Sequence, residues 1–226
     1  MTSNTFKKST ATVAAWNLAT FSAPTHERII KQAEGLQLLD AELVTLVEIR
    51  NEDHVASIAE WLTDKGTPYN YVFLPQAEPV GTHAAMHIGV LFKEGVEVTN
   101  ADLLDGSDLD NVNYRKAFTC DVKIGKFDFK LIGVHLKSGR ELANQKIRDE
   151  QCKVIGAHIK ELRGDNDRDP DILLMGDFNM IPGKDVSNFH HLGGDDIMDF
   201  VSSWDLQERY SHILPTGREN LLDGFA

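Results

Sequence analysis

The sequence predicts an α/β chain in which a mixed β-sheet system is covered by helices. Two observations carry that prediction. Apolar runs short enough for strands alternate with helix-spaced segments, and one stretch alternates on both sides of a tight turn, which calls for an antiparallel hairpin. With 226 residues, 42% hydrophobic and 26% charged, the chain can bury a sizeable core, and a single domain over 1–226 is expected.

The elements follow in order. "TVAAWNLATF" reads as the first strand; Lys7 and Lys8 ahead of it give a superficial likeness to a secretion signal, but Asn17 interrupts the apolar run. "HERIIKQAEGLQLL" places Ile29, Ile30, Ala33 and Leu36 at helical spacing. "AELVTLVEIR" is a buried strand that runs out at Glu48, and "DHVASIAEWLTDKG" is a helix with Val55, Ile58, Ala59 and Leu62 on one face and Gly66 as its stop. "YNYVFLP" and "HIGVLFKEG" are two more strands. "RKAFTCDVKIGKFDFKLIGVHLKS" is the hairpin, turning near Gly125. A long helix runs from about Glu141 to Leu162 with Ile147, Val154, Ile155, Ile159 and Leu162 on its buried side. "DILLMGDFNM" is then a strand whose apolar residues lead straight into Gly176, Asp177, Phe178 and Asn179.

Composition narrows the function. Cys120 and Cys152 are far apart and lack metal-ligand spacing, so they read as reduced thiols of a cytoplasmic protein, one disulfide being the alternative. No apolar run approaches the ~20 residues of a membrane span, and no membrane partner is expected. The net charge of −12 speaks against a general polyanion binder, whose affinity comes from Lys and Arg neutralising phosphates. It is compatible with a metal-dependent phosphodiesterase, because bound divalent cations reverse the local sign of a carboxylate cluster.

Asn17, Glu48, His135, Asp177 and Asn179 all fall at or just after the ends of predicted strands, where open α/β sheets gather their ligands. Singly, each has a structural reading: Asn17 capping a turn, Glu48 opening a loop, His135 a satisfied core histidine, Asp177 and Asn179 an Asx turn. Together they suit hydrolysis of a phosphate ester. Glu48 offers a hard oxygen ligand for Mg²⁺ or Mn²⁺, which neutralises charge on the phosphoryl group and its leaving oxygen. Asp177 would orient or deprotonate the attacking water, and Asn17 and Asn179 would grip phosphate oxygens without adding repulsive charge. His135 would donate a hydrogen bond or a proton to a phosphate oxygen.

"WNL" at 16–18, "LVEIR" at 46–50, "GVHLKS" at 133–138 and "LLMGDFN" at 173–179 resemble the ordered motifs of the endonuclease/exonuclease/phosphatase superfamily, which includes deoxyribonuclease I. The resemblance covers nearly the whole chain; "GDFN" after an apolar strand is its most specific part. It implies a four-layered sandwich, two mixed sheets face to face with helices outside, and Mg²⁺-dependent phosphoester hydrolysis. By position, Glu48 would be the metal ligand with Asn17 beside it, and His135, Asp177, Asn179 and Asp223 would be catalytic. Asn17, Asn179 and Arg115 in "YRKAF" would contact phosphate, as would Arg50, which resembles the arginine following the metal glutamate in deoxyribonuclease I-like enzymes.

Three departures accompany the resemblance. Val47 stands where the family usually has Gln. Before "GVLF" the family often carries a phosphate-contacting Tyr or Arg; here His87 either substitutes or lies on an edge strand. The family's closing Asp-His pair has no counterpart before Ala226. Asp223 in "NLLDGFA" resembles the aspartate that orients the missing histidine, while His212 precedes Asp223, in the wrong order. A weakly active enzyme lacking its C-terminal strand is therefore expected, with an open sheet edge that would permit self-association. Short loops and Arg50 rank DNA or RNA first as substrate, a small phosphoester second, and a non-catalytic phosphate-binding module third; fold alone does not choose.

Overall fold

The computed structural model describes residues 10–19, 23–77, 86–164, 171–202, 211–213 and 219–226. In chain order these form β1 (Val13–Asn17), α1 (His26–Leu39), β2 (Leu43–Ile49), α2 (Glu52–Asp64), β3 (Tyr69–Leu74), β4 (His87–Lys93) and β5 (Val96–Leu103). There follow β6 (Phe118–Ile124), β7 (Phe127–His135), α3 (Leu142–Gly164), β8 (Ile172–Asp177), α4 (Val186–Gly193), a 3₁₀ turn (Gly194–Asp196), β9 (His212–Ile213), β10 (Glu219–Asn220) and β11 (Asp223–Phe225).

Two mixed sheets, ordered β1-β2-β4-β3 and β11-β8-β7-β6-β5, stack face to face; β9 and β10 form a separate two-stranded pair. The period of two along each strand builds the layers. On β2, Leu43 and Val47 enter the inter-sheet core with Ile88, Val90, Phe118, Cys120, Leu131 and Met175. The alternate residues Val44 and Leu46 face Ala33, Leu36, Val55, Ile58 and Leu62 of α1 and α2. On the second sheet, Ile132, Val134 and Leu174 turn outward to Cys152, Ile155 and Ile159 of α3 and Leu192 of α4. Four layers result, helix on sheet on sheet on helix. Strands buried on both faces are mostly apolar, which is why β2 reads as an apolar run, broken by Thr45, until Glu48.

Local signals set the helix starts. The Thr25 hydroxyl accepts from Arg28 N at 3.2 Å and the Asn51 side chain from His54 N at 3.0 Å, each satisfying an amide that the first turn leaves open. The β6–β7 hairpin turns at Gly125, as its alternation predicts, with φ 66° there.

Four details depart from expectation. β5 and α4 have no counterpart in the sequence reading: β5 is an edge strand with only Val96 buried, and α4 has a single short apolar stripe. The buried stripe of α3 carries Arg148 and Gln151 alongside Cys152, Ile155 and Ile159, while Ile147, Val154 and Leu162 are only partly covered. His87 does not lie on an edge strand, since β4 is interior to its sheet. Its Nδ1 accepts from Gln76 N at 2.9 Å and its ring meets Phe73 edge-on at 5.1 Å, so the side chain is part of the core. Cys120 and Cys152 are both buried and unbridged, one in each of two core clusters.

Candidate active site

Two parallel pairings converge on one rim. β1 runs parallel to β2 with Asn17 opposite Val47, and β7 runs parallel to β8 with His135 opposite Asp177. The C-terminal ends of both pairs therefore open at the same end of the sandwich, the position at which such sheets bind ligands.

A bulge aims Glu48. Strict alternation would send it toward the helices with Leu46, but the β2–β4 register shifts between Val47 and Ile49, and Ile49 takes that side instead. Glu48 adopts a left-handed φ of 60°, a strained choice for a non-glycine residue that bulges beside functional sites commonly hold. Gly176 serves Asp177 similarly: with φ 138°, a Cβ there would stand 2.2 Å from the Val134 carbonyl oxygen, so β7 and β8 close up only because position 176 has none.

Asn17 ties the two sheets together. Its amide nitrogen donates to Glu48 Oε1 at 3.0 Å and to Asp177 Oδ2 at 2.9 Å, while its Oδ1 accepts from Ala19 N at 2.8 Å. The other Asp177 oxygen accepts from Asn179 N at 2.8 Å, and Asn179 Nδ2 donates to the Leu136 carbonyl at 3.1 Å. Asn179 holds φ 50°, a conformation asparagine tolerates better than most residues. His135 Nε2 lies 3.8 Å from Glu48 Oε1 and 3.9 Å from Asp177 Oδ2, beyond hydrogen-bond length. Burial pulls the imidazole down to about 4, against the pull of Glu48 and aided by the cations Arg115 and Lys137, so it is neutral at physiological pH.

The opposite charges gather here too. β11 pairs antiparallel with β8 and sets Asp223 across from Asp177. Burial, then the neighbouring Asp177, raise the Asp223 carboxyl to about 7, with Glu48 adding to the rise and the Ser211 hydroxyl opposing it. Two buried oxygens of this cluster, Glu48 Oε2 and Asp223 Oδ1, have no hydrogen-bond partner among the described residues. An orphaned carboxylate oxygen in a cluster of negative groups suits a divalent cation, and these residues fit Mg²⁺ or Mn²⁺, which take one or two carboxylates and keep several waters. Among the described residues, no three His, Cys, Asp or Glu side chains close a full metal cage.

The expected site residues are thus largely brought together. Asn17, Glu48, Asp177 and Asn179 form one hydrogen-bonded chain, His135 and Asp223 adjoin it, and Arg115 is half-buried within electrostatic reach of Glu48 and His135. Arg115 Nη1 donates to the Asn113 carbonyl at 2.9 Å, which fixes the guanidinium. Arg50 follows β2, and its backbone N–H donates to His54 Nδ1 at 3.3 Å, anchoring the start of α2. Sequence reasoning missed Ser211, whose hydroxyl accepts from Leu222 N at 3.0 Å and Asp223 N at 3.1 Å; nothing local in the sequence marks it. It also missed the buried Arg148–Asp185 pair at 2.7 Å, although an arginine four before Cys152 on an apolar helix face was a legible sign.

No protein-family model and no curated protein matches the chain. Solved structures do. A humanized D. rerio TDP2 carrying 14 mutations is 16% identical, with a TM-score of 0.65 over 95% of this chain and 82% of that one. The human Nocturnin catalytic domain with bound sulfate is 14% identical, with a TM-score of 0.68 over 93% of this chain and 78% of that one. A hairpin-deletion mutant of Staphylococcus aureus beta toxin is 16% identical, with a TM-score of 0.63 over 96% of this chain and 86% of that one. The chain accordingly has a deoxyribonuclease I-like fold, two mixed sheets face to face between helices.

Proposed function

We propose that this chain is a Mg²⁺- or Mn²⁺-dependent phosphoester hydrolase that cleaves phosphodiester bonds of DNA or RNA by in-line attack of water. The observation that carries the reading is the Glu48–Asn17–Asp177 chain across the two sheets, with Glu48 Oε2 unpartnered and a neutral His135 beside it. Glu48, with Asn17 at its side, would hold the metal, which when bound supplies charge neutralisation at the phosphoryl group. Asp177, whose Oδ2 accepts from Asn17 Nδ2 and whose Oδ1 accepts from Asn179 N, would orient and deprotonate the attacking water. Asn17 and Asn179 hold that carboxylate in place, and His135 and Arg115 donate to the phosphate oxygens where charge develops. Asp223, raised to about 7, is only partly ionised at neutral pH and so adds less negative charge to the cluster than an ordinary carboxylate.

The comparisons support the substrate class. A D. rerio TDP2 of the same fold, 16% identical with a TM-score of 0.61, is complexed with a single-stranded DNA product. The test is cleavage of supercoiled plasmid and of single-stranded oligonucleotide with Mg²⁺, Mn²⁺ or EDTA. Metal-dependent cutting is expected; hydrolysis of small phosphodiesters alone would overturn the nucleic-acid assignment, and no hydrolysis of any ester would overturn the enzyme.

A further inference from the structure

Beside the cluster lies a cavity of about 360 Å³, lined by Arg140, Arg148, Asn179, Lys184 and Asp185 among others. That volume is within the range of small-ligand sites. It shares Asn179 with the catalytic chain and is walled by two loops: one follows His135 and carries Arg140, the other follows Asn179 and carries Lys184. Three cations face one carboxylate, in a chain whose net charge is −12.

The one carboxylate is internally engaged. Asp185 Oδ1 accepts from Arg148 Nη2 at 2.7 Å, and its Oδ2 accepts from Ile181 N at 2.7 Å. Arg148 Nη1 donates to the carbonyls of Lys137 and Gly139, both at 2.8 Å. A single buried guanidinium thus pins both loops, and the exposed side chains of Arg140 and Lys184 rise from a rigid frame. Arg148 is a positioning residue here, and its own charge is matched by Asp185.

We propose that this cavity is a subsite for a second phosphate group of the substrate, gripped by Arg140 and Lys184 while the scissile phosphate sits against Asn179. The proposal rests on the hydrolase reading given above, and it makes the enzyme selective for substrates with at least two phosphates, as in a polynucleotide chain, over isolated single esters. Arginine and lysine suit the role because charge-assisted hydrogen bonds to phosphate are about twice as strong as neutral ones.

The test is calorimetric, with thymidine 3′,5′-bisphosphate and thymidine 5′-monophosphate as probes, on the whole chain and on an Arg140→Gln/Lys184→Gln variant. Both residues are on the surface, and an unchanged Tm would show the variant folded. Wild type should bind the bisphosphate at least about tenfold more tightly than the monophosphate, the gain expected of one charge-assisted hydrogen bond, and the variant should lose that gap. Equal affinities in wild type, or a gap that survives in the variant, would overturn the subsite. A Lys184→Glu variant, reversing one charge, should prefer the monophosphate. Metal-dependent cleavage of an oligonucleotide and of bis(4-nitrophenyl) phosphate separates the two readings: hydrolysis of neither with the gap intact removes the hydrolase and keeps the anion site, and hydrolysis of either without a gap removes the subsite alone.

Discussion

Asp177→Asn would ordinarily be chosen as the mildest way to remove the proposed base, since it keeps the side chain's shape. The structure predicts two separate losses. Both Asp177 oxygens accept hydrogen bonds from donors that cannot reverse: the Asn179 backbone N–H, and the Asn17 amide, whose own Oδ1 is committed to Ala19 N. Whichever way an asparagine at 177 turns, its NH₂ faces one of those donors. One buried hydrogen bond is lost and one donor left unsatisfied, at a cost of about 1–3 kcal/mol. Turnover should fall further, by about 10²–10⁴ for loss of the base. The assays are thermal unfolding in EDTA and initial rates on an oligonucleotide with Mg²⁺. Turnover within tenfold of wild type would refute the base assignment, and an unchanged Tm would refute the hydrogen-bond geometry.

Four further outcomes follow from the same residues. Glu48→Gln should raise the Mg²⁺ concentration for half-maximal rate by at least about tenfold and, by removing a charge from a crowded carboxylate cluster, raise Tm in EDTA; an unchanged Mg²⁺ requirement would place the metal elsewhere. Asp223 is raised to about 7, so its unfavourable contribution grows as pH climbs from the unfolded value of about 3.9 and is complete above 7. Asp223→Asn should therefore raise Tm in EDTA at pH 8 and barely change it at pH 4; the reverse pattern would refute the assignment. His54 is 2% exposed and held near 4, chiefly by burial with Arg28 adding, so the folded chain binds fewer protons than the unfolded one between about 4 and 6.5. Up to about 3 kcal/mol of stability should drain away as pH falls through that window, and chemical denaturation of His54→Gln should show a flatter acid limb. Arg148→Met leaves Asp185 charged and buried, and should cost about 3–5 kcal/mol, read by urea unfolding; a smaller loss in Arg148→Met/Asp185→Leu would show the pair coupled.

Where a residue's position is fixed by its own strand, the sequence was enough to place it. Glu48, His135 and Asp177 each interrupt an apolar run at its end, and a strand buried on both faces has no other reason to finish in a carboxylate or an imidazole. β5 escaped because an edge strand needs only one wetted face: Val96 is buried, Glu97, Thr99 and Asn100 are exposed, and a register shift at Thr99/Asp102 breaks the period. His87 misled because a polar residue at a strand start looks exposed, whereas Gln76 and Phe73 meet both its polar and its aromatic character. Ser211 and Asp185 act across the fold on partners whose nearness depends on how the sheets stack, and no local pattern encodes that.

Asn17 shows what the stacking accomplishes. It joins Asp177 from 160 positions away and reaches Glu48 across 31, so the cluster exists only when both sheets are formed and aligned. The same assembly holds Glu48 at φ 60°, leaves its Oε2 without a partner, and brings Asp223 against Asp177. Each of these opposes folding, and a chain selected for stability alone would replace them with apolar residues or a neutral amide. They sit together at one rim; the polar groups buried elsewhere include Gln32 with His54 and Arg148 with Asp185, which are hydrogen-bonded to each other. Backbone strain, an orphaned carboxylate oxygen and paired carboxylates gathered at one rim are what a site for binding charge would show. The proposed cation would account for all three at once, because it would coordinate the orphaned oxygen, screen the paired carboxylates and offset the backbone strain that aims Glu48.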